Sequence, residues 1–284
     1  MFVTRFAPSP TGYLHRGHAF SALTAYEAAR AAGGRFLLRI EDIDVTRSRP
    51  QFEAAIYEDL AWLGIEWETP VRRQSEHLDD YQAALAALTT DHLTYRCFRT
   101  RKEIAQAAAS APHGHAEAFR GAPLPPDEEA RRLADGEPFA WRLSLDAAEQ
   151  ALAGRPLTFV EEGAGPNGEH GAVAVDPALS GGDVVLARKD VGVAYHLAVV
   201  VDDALQGVTH IIRGQDLYEA AHVQRLLQVL LDLPAPVYRH HRLLTGPDGK
   251  RFAKRDQAET LRDLRARGVT PADLRAEMGF DRGA

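Results

Sequence analysis

Arg5-Phe6-Ala7-Pro8-Ser9-Pro10-Thr11-Gly12-Tyr13-Leu14-His15-Arg16-Gly17-His18 is the stretch on which the reading of the whole chain turns. Residues 2–6 suit a short strand. Ala7-Pro8-Ser9-Pro10-Thr11-Gly12 must break it, because proline has no amide donor and glycine permits a turn. Residues 18–32 are alanine-rich, with apolar spacing that predicts a helix stopped by Gly33-Gly34. The two imidazoles therefore open a helix directly after a strand and a proline-rich turn. A helix N-terminus exposes unpaired N–H groups and a partial positive charge, which suits phosphate. His15 and His18 can point at one anion, and Gly17 leaves room for a nucleotide against the backbone. Taken alone, a His-x-Gly-His tetrapeptide says no more than two surface histidines at a helix start.

Outward from this stretch, Arg35-Phe36-Leu37-Leu38-Arg39-Ile40 reads as the next strand and ends on Glu41-Asp42-Ile43-Asp44. Helical patterns cover residues 51–63 and 75–88, the second with Ser75 as its expected N-cap. Strand, helix, strand, helix predicts a parallel sheet covered by helices. Between residues 97 and 182 the alternation loosens. Prolines at 112, 123, 125, 126, 138 and 156 and a glycine-rich piece at 163–171 leave only 139–143 and 157–160 as short strands, so this stretch reads as an insertion. From Asp183 strands return at 184–188 and 208–213, a helix at 217–231 and a strand at 237–244. Gly246-Pro247-Asp248-Gly249 is a turn. Residues 259–267 form a small helix, and Thr270 is an N-cap with Pro271 at the first helical position and Asp273 at the third.

The 284 residues allow one or two domains, and 45% hydrophobic with 26% charged residues is ordinary for a globular protein. A net charge of −7 gives no overall basic field, yet RNA needs only a local basic face. The single cysteine, Cys97, excludes an internal disulfide and fits a reducing compartment. The first six residues lack a signal-peptide pattern, and no apolar run reaches the roughly 18 residues a spanning helix needs. A cytoplasmic protein is expected.

Far along the chain, Gly249-Lys250-Arg251-Phe252-Ala253-Lys254-Arg255 places four cations after the turn. Such a loop can fold over a triphosphate and neutralise charge that shifts during displacement at phosphorus. By itself it is equally a solvated basic loop. The two segments together are another matter. The opening stretch resembles that of class I glutamyl- and glutaminyl-tRNA synthetases, and Arg251 to Arg255 sits where that family has its lysine-rich loop. Leu38-Arg39-Ile40-Glu41-Asp42-Ile43-Asp44, Tyr195-His196-Leu197-Ala198-Val199-Val200-Val201-Asp202-Asp203 and Ile212-Arg213-Gly214-Gln215-Asp216-Leu217 match in order. The resemblance covers residues 1–96 and 183–267.

It implies an α/β fold, a Rossmann-like class I catalytic core with an insertion and a short helical tail. The expected division is 1–96 and 183–256 for the catalytic domain, 97–182 for a connective insertion and 257–284 for a stem-like tail, with no anticodon-binding domain. Glutamate would be held by Arg5, Phe6, Ala7, Pro8, Ser9, Glu41, Tyr195 and Arg213, with Glu41 taking the ammonium and Arg213 a carboxylate. ATP would lie against His15, Gly17, His18, Arg251 and Lys254, with His15, His18 and Lys254 the catalytic residues. The nucleophile would be the substrate's own carboxylate, so the protein positions charge and contributes no covalent group. ATP is expected as substrate, with Mg2+ accompanying it.

Only a short segment follows Arg255, which is similar to the truncated branch of the family, the glutamyl-Q tRNA(Asp) synthetases; Ala253-Lys254-Arg255-Asp256 and Thr260-Leu261 also look like that branch. That resemblance implies transfer of activated L-glutamate to queuosine in the anticodon of tRNA(Asp), a loop base a protein can grip selectively. A monomer with no membrane partner is expected. Two alternatives remain: a minimal glutamyl-tRNA synthetase charging tRNA(Glu), and a nucleotidyltransferase adenylating another small metabolite. Arg99, Arg101, Lys102, Arg239, Arg242, Lys250 and Arg262 are candidate phosphate contacts. Several family members hold zinc in the insertion through a Cys-x-Cys pair. Here Arg99 stands at the second thiolate position, and His113 and His115 with one thiolate make a poor tetrahedral set, so no structural zinc is expected.

Overall fold

Val3–Phe6 forms strand β1 and Arg35–Ile40 forms β2, parallel, with Thr4 opposite Phe36 and Phe6 opposite Leu38. Helix α1, Arg16–Ala31, makes the crossover between them. The two-residue period of a strand sorts β2 cleanly. Phe36, Leu38 and Ile40 enter the core under α1 with Phe6, while Leu37 joins Val3 in a separate core on the other face. The same period places Arg5 and Arg39 on that second face. Helix α2, Pro50–Trp62, adds Ile56 and Leu60 to the α1 core, and β3, Glu68–Arg73, extends the sheet parallel to β2. The computed structural model describes residues 1–100, 102–104, 118–188, 192–244 and 259–280.

On the opposite edge of β1, the Thr209 N–H donates to the Val3 carbonyl at 2.9 Å. This sets β10, His210–Gly214, beside β1, with β11, Val237–His241, parallel to it and Arg213 opposite His240. The strands thus follow one another as β3, β2, β1, β10, β11, and the chain order reverses between β1 and β10. α1 covers one face. Helix α7, Tyr218–Leu230, covers the other, where Tyr218 and Ala221 pack with Val3, Ile211 and Tyr238. In such a doubly wound sheet, ligands bind beyond the carboxyl ends of the strands at the reversal point.

The intervening chain builds a second, antiparallel sheet from β4 (Thr94–Cys97), β5 (Ala140–Leu143), β8 (Val185–Arg188) and β9 (Gly192–Val193). Helices α3 (Leu78–Thr90), α5 (Leu145–Leu152) and α6 (Tyr195–Leu205) share its core through Leu88, Leu145 and the run Leu197 to Val201. Helix α4, Pro126–Ala134, has no buried residue and lies ahead of β5. The remaining strands, β6 (Thr158–Glu161) and β7 (Gly171–Ala174), form a hairpin attached to β11 through Glu161 opposite Tyr238. The β6–β7 hairpin therefore reaches the edge of the parallel layer.

The tail is two capped helices, α8 (Leu261–Ala266) and α9 (Pro271–Glu277), each opened by a threonine and aspartate capping box, Thr260 with Asp263 and Thr270 with Asp273. Leu261, Leu264 and Leu274 are fully buried in the α1 core. Each buried leucine contributes about 1.5–3 kcal/mol, so the tail is bound to the parallel layer by packing.

Ser75 is not the N-cap of α3. It lies in a 3-10 turn, Gln74–Glu76, and its N–H and hydroxyl both donate to Asp42, at 2.8 and 2.6 Å. The carboxylate at the end of β2 captures the serine, and the helix begins at Leu78. Among the described residues, no helix is long and apolar enough to cross a membrane.

Candidate active site

At the reversal point the carboxyl ends of β1, β2, β10 and β11 surround a cavity of about 560 Å³. Arg5, Phe6, Ala7, Pro8, Ser9, His15, Gly17, His18, Glu41, Tyr195 and Arg213 all line it. Every described residue expected to bind glutamate or ATP is thus brought to one place. Arg251 and Lys254 lie outside the described residues, as do Arg101, Lys250, His113 and His115.

The imidazoles sit where the sequence suggests, and they cap their own helix. His15 is the N-cap of α1, and its Nδ1 accepts from the Gly17 N–H at 3.1 Å, while His18 Nδ1 accepts from the His15 N–H at 3.2 Å. With both Nδ1 atoms accepting, each ring carries its proton on Nε2. The rings lie 3.8 Å apart, centroid to centroid, so the two Nε2–H donors sit close together at the cavity wall. A Cβ on Gly17 would meet the His15 ring at 3.0 Å, so the glycine leaves room for the imidazole itself.

The Glu41 side of the cavity rests on buried charge. Arg39 is wholly buried; its Nη2 donates to Glu41 at 3.0 Å and its Nη1 to Asp203 at 2.7 Å. Asp203 also accepts from Arg5 Nε at 2.9 Å and Nη2 at 3.3 Å. Two arginines projected from one face of the sheet therefore meet an aspartate on α6, whose first residue is Tyr195. Burial would push the Asp203 carboxyl up, but Arg5 and Arg39 outweigh it and hold it below the usual range. At Glu41 burial wins and pushes the carboxyl up, with Arg39 and Arg5 offsetting only part of the effect. A carboxylate so placed gains from a cationic ligand, because a facing ammonium would restore the charged form. The Glu41 N–H donates to the Pro8 carbonyl at 3.1 Å, fixing the acid to the proline turn.

Arg213, at the end of β10, donates from Nε to His240 at 3.0 Å and from Nη1 to Gln224 at 2.8 Å. Its Nη2 is buried and makes no hydrogen bond among the described residues. An arginine edge left unpartnered in a cavity is suited to a carboxylate. Tyr195, Ser9 and Glu41 also line an adjoining cavity of about 480 Å³, walled by Arg47, Arg188, Val193 and His196. Burial first, then Arg213, lowers the His196 imidazole to about 4.

No role was expected for Arg39, Asp203, Glu161, Gln224 or His240, which hold Arg5, Glu41 and Arg213 in place directly or through one another. One signal was available. An arginine inside the apolar Leu37-Leu38-Arg39-Ile40 and two aspartates closing Val199-Val200-Val201 are charges in buried runs, which survive only when paired. Of the candidate phosphate contacts, Arg242 lines the cavity, whereas Arg239 pairs with Glu162 and Arg262 with Tyr13. Cys97 is buried, and the described residues contain no group of three or more histidine, cysteine or acidic side chains placed to hold a metal.

Residues 1–278 match the family described as tRNA synthetases class I (E and Q), catalytic domain. A glutamyl-Q tRNA(Asp) synthetase of Rhodobacter capsulatus is 49% identical, over 98% of this chain and 100% of that protein. Another from Symbiobacterium thermophilum is 41% identical, over 99% of this chain and 86% of that one. Among solved structures, a glutamate-tRNA synthetase from Elizabethkingia anophelis superposes with a TM-score of 0.75 at 30% identity, covering 90% of this chain. The chain spans about half of that structure, 53% of its length. With its doubly wound sheet and paired imidazoles at the reversal point, the chain belongs to the class I tRNA synthetases of the glutamate and glutamine type.

Proposed function

We propose that this protein activates L-glutamate with ATP and transfers the glutamate to queuosine in the anticodon of tRNA(Asp). The observation that carries this reading is the meeting, in one cavity, of a buried acid, an arginine with an unused edge and two adjacent imidazole donors. Glu41 would receive the ammonium, Arg213 Nη2 the side-chain carboxylate, and the Nε2–H groups of His15 and His18 the phosphates. The free α-carboxylate then attacks the α-phosphorus of ATP. A phosphorus–oxygen bond forms, the bond to the β-phosphate breaks, and pyrophosphate leaves. In the second step an acceptor hydroxyl attacks the activated carbonyl carbon and AMP departs. The protein acts through position and charge.

Lys254 and Arg251 complete the proposal as donors to the triphosphate, with Mg2+ entering with the nucleotide. Support for their role comes from the chain on either side. Leu244 lines the cavity, and Thr260 pairs with His15 across an antiparallel bridge. Transfer to an anticodon base rests on the full-length likeness to proteins named for that substrate. A cytoplasmic monomer without structural zinc remains part of the proposal.

Labelled glutamate, ATP and queuosine-containing tRNA(Asp) test it directly. Label should appear on the RNA, and periodate treatment of the queuosine ring should abolish transfer. Label on tRNA(Glu) instead would favour a minimal glutamyl-tRNA synthetase, a reading to which the likeness to the Elizabethkingia enzyme lends weight.

A further inference from the structure

Arg213 is gripped from behind by residues that do not line the cavity. An arginine has no acceptor, so the bond from its Nε to His240 requires Nε2 of that ring to be bare. The ring proton therefore sits on Nδ1, where Glu161 Oε2 receives it at 2.5 Å. The other Glu161 oxygen accepts the N–H groups of His240 and Gly163, each at 2.8 Å. Glu161 is 0%, His240 2% and Arg213 4% exposed, so water cannot substitute for any of these bonds. The Arg213 guanidinium also lies over the Tyr238 ring at 5.4 Å, which limits its tilt.

We propose that Glu161 and His240 are positioning residues that set the direction of the unused Arg213 edge, and so select a side-chain carboxylate over its amide. The proposal rests on reading the cavity as a glutamate pocket. Each guanidinium edge carries only donors. Nε is committed to His240 and Nη1 makes a bond to Gln224, whereas the buried Nη2 has no partner among the described residues, and as a donor it rewards an acceptor. A glutamine side chain can turn an NH2 group towards it and lose that bond. Glu161 belongs to β6, so a strand of the insertion takes part in amino-acid selection.

Glu161→Gln tests the arrangement with almost no change in shape. Its oxygen stays on the two backbone N–H groups, and its NH2 then faces His240 Nδ1. The ring proton must move to Nε2, where it meets the Arg213 Nε–H. In glutamate-dependent ATP–pyrophosphate exchange, KM for glutamate should rise on the order of tenfold, with KM for ATP within about twofold of wild type. Preference for glutamate over glutamine should fall in parallel. Nitrogen NMR of histidine-labelled protein, assigned through His240→Asn, should show a protonated Nδ1 and bare Nε2 in wild type, reversed in Glu161→Gln. A wild-type ring protonated on Nε2, or a folded variant with unchanged KM for glutamate, overturns the proposal. The wild-type spectrum decides even if the variant does not fold. Absence of any glutamate-dependent exchange in wild type would instead bring down the underlying reading of the pocket.

Discussion

Arg39 Nη1 donates to Asp203 at 2.7 Å, with Arg39 0% and Asp203 3% exposed, at the centre of a network that also holds Arg5 and Glu41. Removing one partner from buried charges leaves the others uncompensated, which costs about 3–5 kcal/mol. Asp203→Ala should therefore lower stability to urea by that amount and weaken glutamate binding in the same variant. The Asp203 carboxyl is held below its unfolded value, so its contribution is present at neutral pH and is lost as pH falls below the ordinary carboxylate range. The deficit of the variant, measured against wild type, should shrink in acid. A deficit equally large below pH about 3 would mean that packing, and not charge, holds the network together.

Arg16 ties the imidazole motif to the tail. It donates to Glu259 and to Glu277, both at 3.1 Å, and is 17% exposed. Partly exposed ion pairs contribute about 0–1 kcal/mol each, so Arg16→Gln should scarcely alter the melting temperature. Glu259 is the first described residue after the segment bearing Lys254, and the pair fixes where the chain rejoins the helix of His15 and His18. KM for ATP should accordingly rise about severalfold while KM for glutamate stays unchanged. Equal changes in both would point to general loosening of the cavity.

The elements legible in the sequence were those with one clear local signal. Arg35–Ile40 is a short, mostly apolar run set off by Gly33-Gly34, and Thr270-Pro271 announces its helix without tertiary help. β3 escaped notice because Glu68-Thr69-Pro70-Val71 has no alternation and begins exposed at the sheet edge, where proline is tolerated. α6 is buried along most of its length, and its three consecutive valines fit a strand as well as a helix. The residues that line the cavity were legible because chemistry restricts their types. The supporting ones were not, since Glu161 and His240 become partners only when a hairpin of the insertion meets β11.

Asp59, on α2, is a buried acid without a hydrogen bond among the described residues, 3.5 Å from Arg265 of the tail. Burial raises its carboxyl to about 6, Arg265 opposing and Glu58 adding to the rise. Because that value exceeds the unfolded one near 3.9, folding favours the protonated form. Its contribution is greatest below pH about 4 and is lost as pH rises through 6. Asp59→Asn should stabilise the protein by about 1 kcal/mol at pH 7, allowing for solvent screening, and by nothing at pH about 4. Chemical denaturation at the two pH values measures the difference, and a variant destabilised at pH 7 would assign Asp59 to a working ion pair with Arg265.

Gly17→Ala sets helix energetics against site geometry. Alanine is favoured over glycine in a helix by about 0.8–1 kcal/mol, so substitution in the first turn of α1 should leave the melting temperature unchanged or slightly raised. The new Cβ, however, would stand 3.0 Å from Cε1 and 3.1 Å from Nδ1 of His15. Contacts that close oblige the imidazole to move by a few tenths of an ångström. The ring can yield only by stretching the bond from the Gly17 N–H and by leaving its place 3.8 Å from the tilted His18 ring. Donors aimed at charge that develops at phosphorus lose effect steeply when misdirected, about 10²–10³-fold for a whole donor, and a partial displacement should cost about tenfold in kcat. KM for glutamate should not follow, because Glu41 and Arg213 belong to other strands. A protein of undiminished stability and slowed exchange would set the glycine's role at the imidazole, whereas full activity would show that the His15 ring has slack to spare.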